Sequence, residues 1–177
     1  MKKVLIVVDM QNDFIDGALG SEAGKAVVPG VVEKIKNFEG LVYATMDTHR
    51  QDYLNSLEGE KLPVVHCVKD TPGWQVNPEV MEALAEKKAV IIEKPSFGSY
   101  GLVAELVAAL EGEYEEPEFE VCGLVSSICV VSNALMIRAC FPDARIKVSK
   151  KLTAGLNETN NEAAFEVMRS CQVDVED

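Results

Sequence analysis

Glu120-Val-Cys-Gly-Leu-Val-Ser-Ser-Ile-Cys-Val-Val-Ser-Asn-Ala-Leu-Met-Ile-Arg-Ala139 opens as a short apolar run, turns through glycine and serine, and continues with helical spacing. That succession is a buried strand feeding a crossover helix. It recurs along the chain. Apolar runs at 3–8, 41–46, 89–93, 119–124, 145–148 and 173–175 alternate with helix-like segments at 27–38, 78–87, 101–110, 127–140 and 160–171. Continuous apolar strands are covered on both faces, which is the mark of a parallel sheet. Pro78 and Pro29 suit the first turn of their helices, where a missing N–H costs nothing. The expected fold is therefore a three-layer, doubly wound α/β domain. It has about six mostly parallel strands in the order 3-2-1-4-5-6, helices on both faces, and a single domain over residues 1–177.

The remaining composition narrows the class. The 177 residues are 47% hydrophobic and 26% charged, enough for one core. A formal net charge of −12 argues against nucleic acid or an anionic membrane surface as the main partner. The five cysteines form no CxxC pair and no disulfide framework, which points to a reducing, cytoplasmic setting. The apolar start breaks at Asp9, too early for a signal peptide, and no run approaches the roughly 18 apolar residues of a membrane span.

In open α/β sheets ligands bind beyond the carboxyl ends of the strands. Asp9 follows the first apolar run, Asp47 the second and Lys94 the third, while Cys129 lies just past the fourth. With the order 3-2-1-4-5-6 these ends are neighbours. A cysteine at a helix start feels the positive end of the helix dipole, which lowers a thiol pKa. Asp9 is placed to accept its proton, and Lys94 to keep that carboxylate ionised and help lower the thiol pKa. The backbone N–H groups of Val125 and Cys129 are placed to hold an oxyanion. Each residue alone has an ordinary reading: a buried thiol, a turn-forming acid, a solvated lysine. Their convergence favours a site. Cys67, Cys122, Cys140 and Cys171 lack such neighbours and read as structural.

Asp9-Met-Gln-Asn-Asp-Phe14, Lys94, and Gly123-Leu-Val-Ser-Ser-Ile-Cys-Val130, in that order over nearly the whole chain, resemble the isochorismatase-like cysteine hydrolases. The resemblance implies a catalytic triad of Asp9, Lys94 and Cys129. It also implies a non-proline cis peptide at Leu124–Val125 that aims the Val125 N–H into the site. Many members carry Thr-Asp where this chain has Ser126-Ser127, so the hydroxyl is kept and the acid lost.

The stretch from Asp47 to Pro78 shows no sustained period, and connections of that length are usually functional. It holds both histidines and the sole tryptophan of the chain. Asp47, His49, Glu58 and His66 make an N/O donor set suited to a divalent metal, with zinc the first expectation and iron or manganese open. This segment resembles the nicotinamidase/pyrazinamidase branch, in which such a metal holds the pyridine nitrogen of the substrate. Many members of that branch place a further histidine where this chain has Asn55, so Glu58 is the expected substitute and Glu60 the fallback. Phe14 and Trp74 are expected to wall the substrate pocket, although an aromatic there is as often core packing.

The resemblance implies hydrolysis of nicotinamide to nicotinate and ammonia through a cysteine thioester, a step of NAD salvage. It also implies a homo-oligomer, dimer or tetramer. Hydrolysis of another small amide, such as an N-carbamoyl or ureido compound, remains open, as does a non-catalytic metabolite-binding module on the same fold.

Overall fold

The first strand, β1 (Lys3–Val8), is apolar beyond Lys3 because both of its faces are covered. In the computed structural model, which describes residues 2–112 and 116–177, Leu5 and Val7 enter one buried cluster and Val4, Ile6 and Val8 the other. The chain then runs through α1 (Asn12–Ile15), α2 (Glu22–Asn37) and β2 (Leu41–Asp47). A 3₁₀ turn (Tyr53–Asn55), α3 (Leu57–Lys61), α4 (Pro78–Glu86) and β3 (Val90–Lys94) follow. After α5 (Tyr100–Leu110) and β4 (Glu118–Leu124) come a π-helical turn (Ser126–Val130), α6 (Val131–Cys140), β5 (Arg145–Ala154), α7 (Glu158–Ser170) and β6 (Asp174–Glu176).

Among the described residues the six strands form one sheet in the order β3-β2-β1-β4-β5-β6, and every pairing is parallel. Helices α2 and α4 cover one face through Val27, Val31, Ile35, Val80 and Leu84. Helices α5, α6 and α7 cover the other through Leu102, Leu106, Ala134, Ile137, Phe165 and Met168. This is the expected three-layer arrangement, and the direction of winding reverses between β1 and β4. The carboxyl ends of those two strands therefore flank a crevice.

Three local expectations need correction. Helix α2 starts at Glu22, not at residue 27, because the Ser21 hydroxyl accepts the Gly24 N–H at 2.9 Å and caps it. Pro29 consequently lies inside the helix. It is exposed, so the carbonyl one turn back, which loses its partner, faces solvent. The connection after β2 is not structureless: Ser56 caps α3 by accepting the Gly59 N–H at 3.0 Å. Strand β5 extends to Ala154, beyond the apolar run that ends at residue 148. Its pairing with β4 shifts between Val121 and Gly123, and the polar 149–151 segment lies in that irregularity and reads as loop in sequence. Gly123, at φ +111, brings its Cα against the Val8 backbone, where no side chain fits.

Candidate active site and metal centre

The chain leaves β1 at Asp9, whose φ of +47 turns its side chain into the crevice. Thr45 Oγ1 donates to Asp9 Oδ1 at 2.6 Å, and Lys94 Nζ lies 2.7 Å from Asp9 Oδ2. The same ammonium donates to the Ser96 carbonyl at 2.9 Å and reaches Cys129 Sγ at 3.5 Å. Asp9, Lys94 and Cys129 are all buried. The structure thus brings together the three residues that sequence singled out. Lys94 is the last residue of β3, so its long side chain crosses beneath β2 to the β1/β4 crevice.

Electrostatics correct one expectation. Cys129 is the fourth residue of the π-helical turn, and burial, followed by the Asp9 charge, pushes its thiol pKa well above the ordinary value despite Lys94. That direction favours a neutral thiol at Cys129, opposite to the lowering expected from a helix start. Burial likewise raises the Asp9 carboxyl, with Lys94 and Thr45 opposing. Lys94 is pulled down by burial but more strongly raised by Asp9, Cys129 and Asp47, so it stays cationic. Moving the proton from this thiol to the Asp9 carboxylate is therefore uphill at rest, and the arrangement can do it only together with bond formation to a bound electrophile.

The cysteine turn is anchored by a residue that sequence reasoning missed. Asn133, buried one helical turn past Cys129, donates to the Cys129 carbonyl at 2.8 Å and the Phe97 carbonyl at 3.1 Å, and accepts the Ser99 N–H at 2.9 Å. Its i+4 spacing from the cysteine was the available signal. The Leu124–Val125 peptide is cis, as the resemblance implied, and Val125 and Cys129 both line the cavity. Ser126, in place of the more common threonine, bonds to Asn161.

The second group assembles beside the first. His49 and Val68 form a parallel bridge in which the His49 N–H donates to the Cys67 carbonyl at 2.9 Å. That bridge brings the segment holding His66 alongside the end of β2. His49 Nε2 lies 3.0 Å from Asp47 Oδ2 and 3.7 Å from Glu58 Oε1, while His66 Nε2 lies 3.6 Å from each of those oxygens. Four ligands at bond lengths of ~2.0–2.1 Å around a tetrahedral ion would be about 3.3 Å apart. These four edges bracket that spacing, and all the donor atoms of the set lie within 4.8 Å of one another. His66 Nδ1 sits 2.7 Å from the Val64 carbonyl, which can only accept, so Nδ1 donates there and Nε2 is the nitrogen that faces the cluster. The donor set fits a divalent metal in residue type, in spacing and in the His66 nitrogen it presents. Glu58 belongs to it, whereas Glu60 is exposed.

The two carboxylates of the cluster are shifted in opposite directions. Burial raises the Asp47 carboxyl, but hydrogen bonds from His49 and His66 and the charge of Lys94 outweigh it and hold Asp47 well below the carboxylate range. Glu58 is raised by burial and further by Asp47. Tyr53, with ring centroids 4.7 Å from His49 and 5.0 Å from His66, buttresses both imidazoles and bonds the Leu62 carbonyl at 2.8 Å. Burial beside Glu58 and Asp47 pushes its hydroxyl up to about 12.

Both groups open onto one cavity of about 80 Å³. Phe14, Phe97, Leu19, Leu62, Ile128 and Leu156 form its apolar wall, and Asp47, Glu58, His66 and Cys129 its polar end. Phe14 is where sequence placed it. Trp74 is not among the lining residues: it packs against the core, and its indole N–H donates to Thr48 Oγ1 at 2.9 Å.

Two further side chains tie these parts together. Gln11, fully buried, accepts the Asp47 N–H at 2.7 Å and donates to the Asp47 carbonyl at 2.8 Å and the Trp74 carbonyl at 2.7 Å. Asp13 Oδ2 accepts the Cys67 N–H at 2.8 Å.

Comparison with known proteins agrees with this geometry. The model of the isochorismatase domain matches residues 3–177. A nicotinamidase/pyrazinamidase of Mycobacterium tuberculosis is 27% identical, over 98% of this chain and 97% of its own length. The crystal structure of a pyrazinamidase of Pyrococcus horikoshii in complex with zinc superposes with a TM-score of 0.78 at 27% identity, covering 99% of this chain and 98% of that one. An N-carbamoylsarcosine amidase of Thermoplasma acidophilum gives a TM-score of 0.77 at 25% identity, over 99% and 96% of the two chains.

Proposed function

The chain belongs to the isochorismatase family of hydrolases, and from that premise we propose that it is a cysteine amidohydrolase acting on nicotinamide. One observation carries the reading. Lys94 Nζ touches Asp9 at 2.7 Å and Cys129 at 3.5 Å, and the four-donor cluster opens into the same cavity as that thiol. Cys129 gives its proton to Asp9 as Sγ attacks the carboxamide carbon. The N–H groups of Val125 and Cys129 receive the developing oxyanion. Asp9 passes the proton to the departing nitrogen, the C–N bond breaks, and ammonia leaves a thioester on Cys129. Asp9 then takes a proton from water, whose oxygen attacks the thioester, and returns it to sulfur as nicotinate departs. Asp47, His49, Glu58 and His66 would hold a zinc, iron or manganese ion, which when bound supplies a Lewis-acid anchor for the pyridine nitrogen.

Ammonia release from nicotinamide, pyrazinamide and an N-carbamoyl amino acid, with and without a chelator, tests the assignment. Nicotinamide turnover that is lost on chelation and restored by metal is expected. The Cys129→Ala variant should bind nicotinamide and release no ammonia; substantial turnover by that variant would sink the mechanism. The likeness to the N-carbamoylsarcosine amidase supports a second reading, in which a carbamoyl amide is the substrate. Ammonia from the N-carbamoyl compound alone, unaffected by chelator, would favour it.

A further inference from the structure

We propose that Gln11 and Asp13 are positioning residues that set the metal affinity of the Asp47, His49, Glu58 and His66 cluster and keep it in register with Cys129; this rests on reading that cluster as a metal site. The backbone ladder between β1 and β2 closes at Asp9, whose N–H donates to the Thr45 carbonyl at 3.1 Å, after which the chain turns away. Two residues later the Gln11 side chain takes over. Its amide accepts the Asp47 N–H and donates to the Asp47 carbonyl, occupying both backbone groups that a continued strand would have paired, and fastens Trp74 with the same nitrogen. Asp47 is thereby held on the β1 side, where the ladder has ended, while β3 pairs with it on the other.

Asp13 does the corresponding work for the other half of the cluster. Cys67, directly after His66, has φ +45, a conformation unfavourable for a residue with a side chain. The Asp13 carboxylate on its N–H stabilises that bend, and the bend directs His66 toward Asp47. Asp9, Gln11 and Asp13 are alternate residues of one segment. The first touches the triad lysine and the other two carry the metal-bearing segments. A shift of this segment would move Asp9 and the metal-bearing segments together, which preserves their mutual spacing. Partners that orient metal ligands in this way typically change metal affinity by about 10–100-fold when removed.

The test uses full-length protein stripped of metal, titrated with zinc against a chromophoric chelator, with the cobalt(II) absorption spectrum as a second readout. Gln11→Glu keeps an acceptor for the Asp47 N–H but sets an oxygen against two carbonyls. Its zinc affinity should fall about 10–100-fold and its cobalt bands should shift. Asp13→Ala should lose affinity similarly, while Asp13→Asn, which retains an acceptor for the Cys67 N–H, should recover most of it. If Gln11→Glu does not fold, the Asp13 pair decides: equal affinities for Asp13→Ala and Asp13→Asn would overturn the proposal. Variants that melt earlier in the metal-free state yet bind zinc with wild-type affinity and an unchanged cobalt spectrum would overturn it as well, leaving only a structural role. A wild-type protein that binds no zinc would instead overturn the metal-site reading, and the proposal with it.

Discussion

Removing the Lys94 ammonium while keeping its volume, as in Lys94→Met, tests the buried ion pair at the centre of the site. Unit charges 2.7 Å apart attract by about 6 kcal/mol at an effective dielectric of about 20. Asp47 at 3.7 Å adds to that attraction, and the desolvation of both groups opposes it. Breaking such a buried pair from one side typically costs about 3–5 kcal/mol, because the remaining charge is stranded. Lys94→Met and Asp9→Asn should each lose stability of that order in urea unfolding at neutral pH. The double variant, with neither charge, should be no less stable than either single one. Each of the three should lose about 10²–10⁴-fold in kcat, since Asp9 is either absent or protonated. A double variant whose loss equals the sum of the two single losses would refute the coupling. Near wild-type turnover by Lys94→Met would refute the lysine's role.

Other consequences are open to direct measurement. Because burial and Asp9 push the Cys129 thiol above its usual range, thiolate absorbance in the ultraviolet should not differ between wild type and Cys129→Ala at pH 7; a thiolate difference band there would contradict the neutral resting state. Thr45→Val removes a hydrogen bond that lowers the Asp9 pKa. Activity that needs ionised Asp9 is lost as pH falls through that pKa, so the acid limb of kcat/KM should move to higher pH, and an unmoved or lowered limb would count against Asp9 as the base. Gly123→Ala adds a methyl against the Val8 backbone at φ +111 and should cost well over about 1 kcal/mol, read as a lower midpoint in urea; a neutral effect would mean that β1 and β4 can separate there.

Much of the molecule was legible because burial on both faces of a parallel sheet writes itself as short apolar runs. The ends of those runs, in the order 3-2-1-4-5-6, put Asp9, Asp47 and Lys94 at adjacent strand ends. Local chemistry was less legible where a side chain substitutes for backbone. Gln11 reads as one polar residue in a polar stretch, yet it continues the sheet by its amide. Thr45 interrupts an apolar strand two positions before Asp47, a signal that a polar residue faces the site, although its partner Asp9 is distant in sequence. Trp74 sat in the expected loop, but the Thr48 bond and the core draw it away from the cavity.

From the sequence alone came the three-layer fold, the strand order and the candidate triad and ligand residues, because periodicity, residue type and the family resemblance are all carried along the chain. The upward shift of the Cys129 thiol, the exclusion of Glu60 and the tethering of Asp47 and Cys67 by Gln11 and Asp13 were decided only in three dimensions. Each depends on burial or on distances between residues far apart in the chain, such as the 2.7 Å from Lys94 to Asp9, and these exist only once the sheet has brought the strand ends together.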